Sequence, residues 1–310
     1  MSTPSFADWD DISPIPQDDY ENSLAPIHYS NDYKTLMNLF RACRQAGEKS
    51  QRVLQLTKSI IEINPAHYTV WQYRRQCVFN LIADLDDELS YTLEMALEHP
   101  KNYQIWYHRR EVVDQLNNYE KEIPFVDFIL EYDDKNYHAW AHRQWACEKL
   151  GNWESELDSV DRYLKIDVRN NSAWNHRWFV INSFYKILPT HVVTKEIAYI
   201  FSFIDLTLNN ESPWNYLRGF FTRNKYSDFP EVKEKCEKLV ESHPEALDCT
   251  PLLTTLVFIY EEDETEDSLN SAISYIERLK NEVDVVREKY WGMRLKRNVQ
   301  KMSNIVCSDS

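Results

Sequence analysis

Residues 133–145, DDKNYHAWAHRQW, hold the fullest copy of a motif that recurs on both sides of them. Aligned on tryptophan, the copies centre on Trp71 (NPAHYTVWQYRR), Trp106 (HPKNYQIWYHRR), Trp140, Trp174 (DVRNNSAWNHRW) and Trp214 (NNESPWNYLRGF), at steps of 35, 34, 34 and 40 residues. A period near 34 marks helical hairpins that cannot each bury an apolar face alone and stack to share one core. The spacing predicts an all-α fold: a right-handed superhelical crescent, or solenoid, of tetratricopeptide-like hairpins. Each buried Trp removes roughly 150–250 Å² from water, an upper bound of about 4–6 kcal/mol, so the five form the expected spine.

Working outward, residues 1–30 are rich in Asp, Pro and Ser and gain too little burial to offset their ordering entropy. They read as an extended arm whose Trp9 and Ile12 are free to dock on a partner. Residues 31–302 read as one repeat domain, with apolar positions such as Leu36, Leu39, Phe40 and Val53, Leu56, Ile60 at helical spacing. Asn102 and Asn136 stand where an N-cap is wanted, and Gly151 where a helix should stop. Extra residues near Lys186–Thr194 account for the 40-residue step and predict a longer first helix or loop there. After residue 229 the motif fades into capping helices, the last carrying Tyr290 and Trp291, and residues 303–310 read as a frayed tail.

A net charge of −15 repels nucleic-acid backbones, and no long basic stripe offsets it. Six scattered cysteines with no Cys-x-x-Cys pair speak against a zinc ribbon or a disulfide framework. No apolar run reaches the length of a membrane span, which predicts a soluble, cytoplasmic chain. Four glycines and no glycine-rich phosphate loop or nucleophile elbow argue against a complete enzyme in this chain.

Trp-x-x-Arg recurs at Trp71/Arg74, Trp106/Arg109, Trp140/Arg143 and Trp174/Arg177, placing each Arg one helical turn past its Trp, where it can bond the adjoining repeat. His108, His142 and His176 precede those arginines and belong to the same pattern. His138 and His142 have the spacing of a helical metal pair, but no third ligand is evident. Lys101, Lys135 and Arg169 share the position just before three helix N-termini. Those termini already carry partial positive charge, so the row is either an anion rim or three solvated loop cations. Tyr103 and Tyr137 stand two residues further along the same edge.

At KNYHAWAHRQW, DVRNNSAWNHR and NPAHYTVWQYRR, with WDDISPIPQ in the arm and the closing REKYW at Trp291, the sequence resembles the α subunit shared by protein farnesyltransferase and protein geranylgeranyltransferase type I. The resemblance implies half of a heterodimer, active only with a β subunit of farnesyl or geranylgeranyl type I. The partner would hold a catalytic zinc, with magnesium accompanying the diphosphate for farnesyl transfer and no cofactor bound by this chain. The implied reaction moves a farnesyl or geranylgeranyl group from its diphosphate to a cysteine of C-terminal CaaX-motif proteins such as small GTPases. It assigns catalysis to Lys135, Tyr137 and Asn170, substrate binding to Tyr103 and His138, and subunit contact or scaffolding to Arg143, Trp174 and Trp140. In the fifth repeat Leu217 stands where Arg is expected, with Arg218 one place later, and that repeat has no implied role. The alternatives are the α subunit of Rab geranylgeranyltransferase and a non-catalytic tetratricopeptide-type scaffold, whose recurring glycines this chain lacks.

Overall fold

Asparagine starts four of the Trp-bearing helices. In a computed structural model that describes residues 9–18, 24–25, 27–81 and 84–308, the side chains of Asn102, Asn136, Asn170 and Asn210 each accept a hydrogen bond from an N–H in the first turn. That satisfies donors the helix itself leaves open. Among the described residues there are fifteen α-helices and no strand, so the helical array expected from the Trp spacing is observed.

The chain divides into two units after Gly151, where the sequence reads as one repeat domain. The first holds α1 (Asn31–Ala46), α2 (Gln51–Ile63), α3 (Tyr68–Leu81), α4 (Leu85–Glu98), α5 (Tyr103–Leu116), α6 (Glu122–Tyr132) and α7 (Tyr137–Leu150). The second holds α8 (Trp153–Ile166), α9 (Asn171–Phe184), α10 (Thr190–Ile204), α11 (Glu211–Phe220), α12 (Pro230–Ser242), α13 (Thr250–Asp263), α14 (Glu266–Arg278) and α15 (Glu288–Ser308). Sequential helices pack as hairpins, α2 with α3, α4 with α5, α6 with α7, α8 with α9 and α10 with α11. Gly151 ends α7 at φ 70°, the left-handed conformation that glycine adopts without a Cβ penalty.

All five motif tryptophans are buried, and each indole nitrogen reaches the carbonyl six residues back. Trp71 donates to Pro65, Trp106 to Pro100, Trp140 to Asp134, Trp174 to Val168 and Trp214 to Leu208, at 2.8–3.0 Å. The same bond therefore fixes each loop against its own helix. Two of these carbonyls also accept from the next repeat's cap: Asn136 Nδ2 reaches Pro100 O at 3.2 Å, and Asn210 Nδ2 reaches Val168 O at 2.9 Å. Trp140 and Trp174 thus build the array, as does Arg143, which is fully buried with Nη1 2.6 Å from Asp127.

Two expectations change and a third is met. Trp9 is not free for a partner: it is buried with the Arg52 guanidinium 4.7 Å from its ring, while Arg52 also holds Asp11 through two hydrogen bonds. Ile15 extends this docking by donating to Asn38 and accepting from Arg41, so at least this stretch of the arm lies on α1 and α2. The supposed frayed tail is helix as far as Ser308. The 40-residue step arises wholly between Trp174 and Glu196, as a five-residue connection before α10 and an added first turn of that helix.

In the second unit Trp178 packs against α11 at Gly219, where a Cβ would meet the ring at 2.9 Å. The ring cannot retreat easily, because Tyr216 and Phe220 pack on it at 5.8 and 5.1 Å. Gly219→Ala should therefore destabilise the protein by about 1–2 kcal/mol, the overpacking cost exceeding the helix-propensity gain of about 1 kcal/mol. A thermal melt of the variant that matches or exceeds the parent would contradict this.

Candidate functional site

The entrances of α5 and α7 are two copies of one arrangement, side by side in the first unit. Lys101 and Lys135 are exposed just before the capping asparagines, and Tyr103 and Tyr137, the first helical residues, are 68% and 71% exposed. Between the copies lies His138, nearly buried, with its ring edge-on to Tyr103 at 4.2 Å and beside Tyr137 at 5.4 Å. Burial pushes its imidazole below the usual value, against a hydrogen bond to the Lys101 backbone. His138 is therefore neutral at pH 7 and acts as a strut between the loops. With Asn136 bonded to Pro100, it fixes the spacing of the two lysine–tyrosine pairs.

These loops offer ammonium groups, phenol hydroxyls and helix N-termini on one exposed edge, a set suited to the oxygens of an anion. Tyr68, 69% exposed, is the equivalent residue of α3 and extends the tyrosine row, yet sequence reasoning passed over it. Its position three residues before Trp71 was the available signal. Asn170, assigned to catalysis by resemblance, is 1% exposed, and its Oδ1 caps α9 through the Ala173 N–H at 3.1 Å. Arg169, beside it in the second unit, is exposed.

The motif arginines form a second, buried series, bonded to the adjoining repeat as the Trp-x-x-Arg spacing predicts, through acids that the sequence reading did not single out. Arg74 makes a two-bond pair with Glu88, Arg109 with Glu122 and Arg177 with Glu196, all at 2.6–2.8 Å and all nearly buried. The same carboxylates take a second partner 20 residues later: His108 on Glu88, His142 on Glu122 and Tyr216 on Glu196. His176 does the same on Glu156 at 2.6 Å. Glu88, Glu122 and Glu196 so join an arginine of one hairpin to a ring of the next.

Burial pushes the Glu88 carboxyl up, but the His108 hydrogen bond and the Arg74 charge outweigh it and hold it at about 2. Burial lowers His142 to about 4 despite Glu122, so its imidazole is neutral at pH 7 and donates through Nε2. The Nδ1 lone pair then faces Arg110 Nε at 3.4 Å, consistent with that tautomer. A histidine whose value falls on folding is protonated more readily in the unfolded chain, so stability is lost as pH drops from about 6.5 toward 4. Glu88 adds a further loss between about 4.5 and 2. Urea midpoints measured across pH 4–8 should fall on the acid side, and His142→Gln should flatten the part above pH 4. An unchanged slope in that variant would refute the assignment.

Four segments, 50–81, 85–116, 119–150 and 153–184, match the model of the protein prenyltransferase alpha subunit repeat. A Dictyostelium discoideum protein farnesyltransferase/geranylgeranyltransferase type-1 subunit alpha is 37% identical over 298 residues, spanning 93% of this chain and 91% of the relative. The chain belongs to this alpha-subunit family. The Candida albicans farnesyltransferase/geranylgeranyltransferase type-1 subunit alpha is 33% identical over 303 residues, 94% of this chain and 98% of its own. The solved structure of Candida albicans protein geranylgeranyltransferase-I complexed with GGPP superposes with a TM-score of 0.82 at 30% identity, covering 93% of this chain and 97% of that one. A Saccharomyces cerevisiae geranylgeranyl transferase type-2 subunit alpha, the nearer of the two alternatives, aligns over only 33% of this chain at 27% identity.

As a type-1 alpha subunit, the chain is part of a prenyl transferase. The family's matched repeats end at residue 184, before the repeat in which Leu217 replaces arginine. In that repeat Tyr216 substitutes for histidine on Glu196, so the carboxylate keeps its two partners although the motif has drifted.

Proposed function

We propose that this chain pairs with a β subunit of farnesyl or geranylgeranyl type I to make a cytoplasmic CaaX prenyltransferase, and that its lysine–tyrosine edge receives the isoprenoid diphosphate. The supporting observation is the pairing of Lys101 and Tyr103 with Lys135 and Tyr137, locked together by His138 and Asn136. No described helix is long and apolar enough to cross a membrane. The exposed groups of the edge are ammonium and phenol, which fit phosphate oxygens rather than a metal cation. The family resemblance puts zinc with the β subunit, where it would hold the substrate cysteine as thiolate, and magnesium with the diphosphate.

In the reaction the sulfur–C1 bond forms as the C1–oxygen bond breaks, and charge accumulates on the departing diphosphate. Lys101 and Lys135 oppose that charge, and because their loops are already fixed they stabilise it more in the transition state than in the ground state. Tyr137 and Tyr103 donate hydroxyl bonds along the same edge. Tyr103 with His138 also borders the path of the protein substrate's C-terminus. Asn170 serves by shaping the α9 entrance as its cap. Co-expression with each β subunit, followed by transfer assays with farnesyl and geranylgeranyl diphosphate, tests the assignment. Transfer should require both chains, and full transfer by a β subunit alone would reduce this chain to a scaffold.

A further inference from the structure

The lysine at the α7 entrance is held in a way that the lysine at the α5 entrance is not. Asp133 is the C-cap of α6, and its carbonyl accepts the Asn136 N–H at 3.1 Å, which closes a turn around Lys135. The side chain of the same residue reaches forward as well: Asp133 Oδ1 accepts the Lys135 N–H at 3.3 Å. An Asp bonded to the backbone two residues on closes a turn of its own and removes freedom from the residue it holds. Asp133 is half-buried and Lys135 exposed, so the acid secures the root of a side chain that stands out from the loop.

The second unit repeats the device. Asp167 caps α8, its carbonyl accepts the Asn170 N–H at 3.0 Å, and its Oδ1 accepts the Arg169 N–H at 2.8 Å. At Lys101 the backbone turn is kept, with the Asn102 N–H on the His99 carbonyl at 3.0 Å, but the acid is gone. His99 takes its place with the imidazole 4.0 Å from Glu98, and among the described residues no side chain accepts from the Lys101 N–H. What holds that loop is the next repeat, through Asn136 on the Pro100 carbonyl and His138 on the Lys101 backbone. Two lysines that are equivalent by spacing therefore differ in what fixes them.

We propose that Asp133 is a positioning residue for prenyl transfer: by bonding the Lys135 N–H it sets the direction in which the Lys135 ammonium leaves the loop toward the departing diphosphate. This role rests on the reading of the edge as the diphosphate site. A lysine side chain is long and flexible, and a root that is already fixed leaves less to order as charge develops. The charge of Asp133 works the other way, since an acid beside an anion site repels the ligand. The acceptor oxygen is thus the useful part of the residue, and Asn offers the same oxygen without the charge.

Steady-state transfer with farnesyl and geranylgeranyl diphosphate, measured on the assembled heterodimer, tests this. Asp133→Ala should lower turnover about fivefold, the equivalent of one lost hydrogen bond, with KM for the diphosphate unchanged. Asp133→Asn should bring turnover back to within about twofold of the parent. In Lys135→Asn the added Asp133→Ala change should cost nothing further, because the acid acts through the lysine, whereas a merely structural role would add its loss in either background. Parent turnover in Asp133→Ala, an equal loss in Asp133→Asn, or full additivity with Lys135→Asn would each overturn the role. Those results leave the diphosphate reading standing as long as Lys135→Asn alone slows transfer. Parent turnover in Lys135→Asn removes that reading, and the role of Asp133 with it.

Discussion

Glu122→Ala should lower the stability of the chain by about 3–5 kcal/mol, the largest loss we expect from any single side chain. Glu122 is 0% exposed and holds two groups at once, the Arg109 guanidinium through two bonds at 2.7 and 2.8 Å and the His142 imidazole at 2.7 Å. Removing the acid leaves a buried guanidinium with only the Leu89 carbonyl and the Thr92 hydroxyl as partners, and an imidazole that has lost its acceptor. Water cannot easily replace the carboxylate, because Trp106 and Phe125 pack around His142 at 5.5 and 5.7 Å. Urea unfolding followed by tryptophan fluorescence should show the shift. A loss under about 1 kcal/mol would mean that the network is no stronger than a surface pair.

Lys135→Asn should reduce prenyl transfer about 10²-fold, roughly 3 kcal/mol of barrier, in the assembled enzyme. Thermal stability and co-purification with the β subunit should not change, since the side chain is exposed at a loop. The loss should fall on turnover rather than on affinity for the diphosphate, because the charge Lys135 opposes is greatest as the C1–oxygen bond breaks. Lys101 stands in the same position of the preceding repeat, so Lys101→Asn is the necessary companion. A large loss there with wild-type turnover in Lys135→Asn would move the diphosphate one repeat toward the N-terminus. Wild-type turnover in both would remove the edge from catalysis.

Much of this architecture was legible because tryptophan is rare and large. Five phased copies stand out, and the arginine and histidine behind them follow the same phase. The acids that complete the network were equally periodic, with Glu88, Glu122, Glu156 and Glu196 at steps of 34, 34 and 40. They escaped notice because the chain has 50 Asp and Glu residues, most of them solvated, and nothing local marks a buried one. In the arm, low apolar content hid a local contact: one Trp under Arg52 and one pair of carboxylate bonds hold the stretch at Trp9 and Asp11. At the edge, residue types and spacing located the lysines and tyrosines, while only packing revealed His138 as their spacer.

The acid that bridges Arg74, Arg109 or Arg177 to the following ring also acts as an index mark along its unit. An apolar stripe tolerates sliding, since one leucine greets another almost as well as its intended neighbour. A buried carboxylate does not, because a slip of one turn strands a charge on both sides of the joint. The hairpins are thereby geared to one another: drift in loop length or in surface residues leaves the mesh intact provided that the teeth keep phase. The added residues between Trp174 and Glu196 obey that condition, for the 18-residue interval from Glu196 to Trp214 is the same as those from Glu88 to Trp106, Glu122 to Trp140 and Glu156 to Trp174.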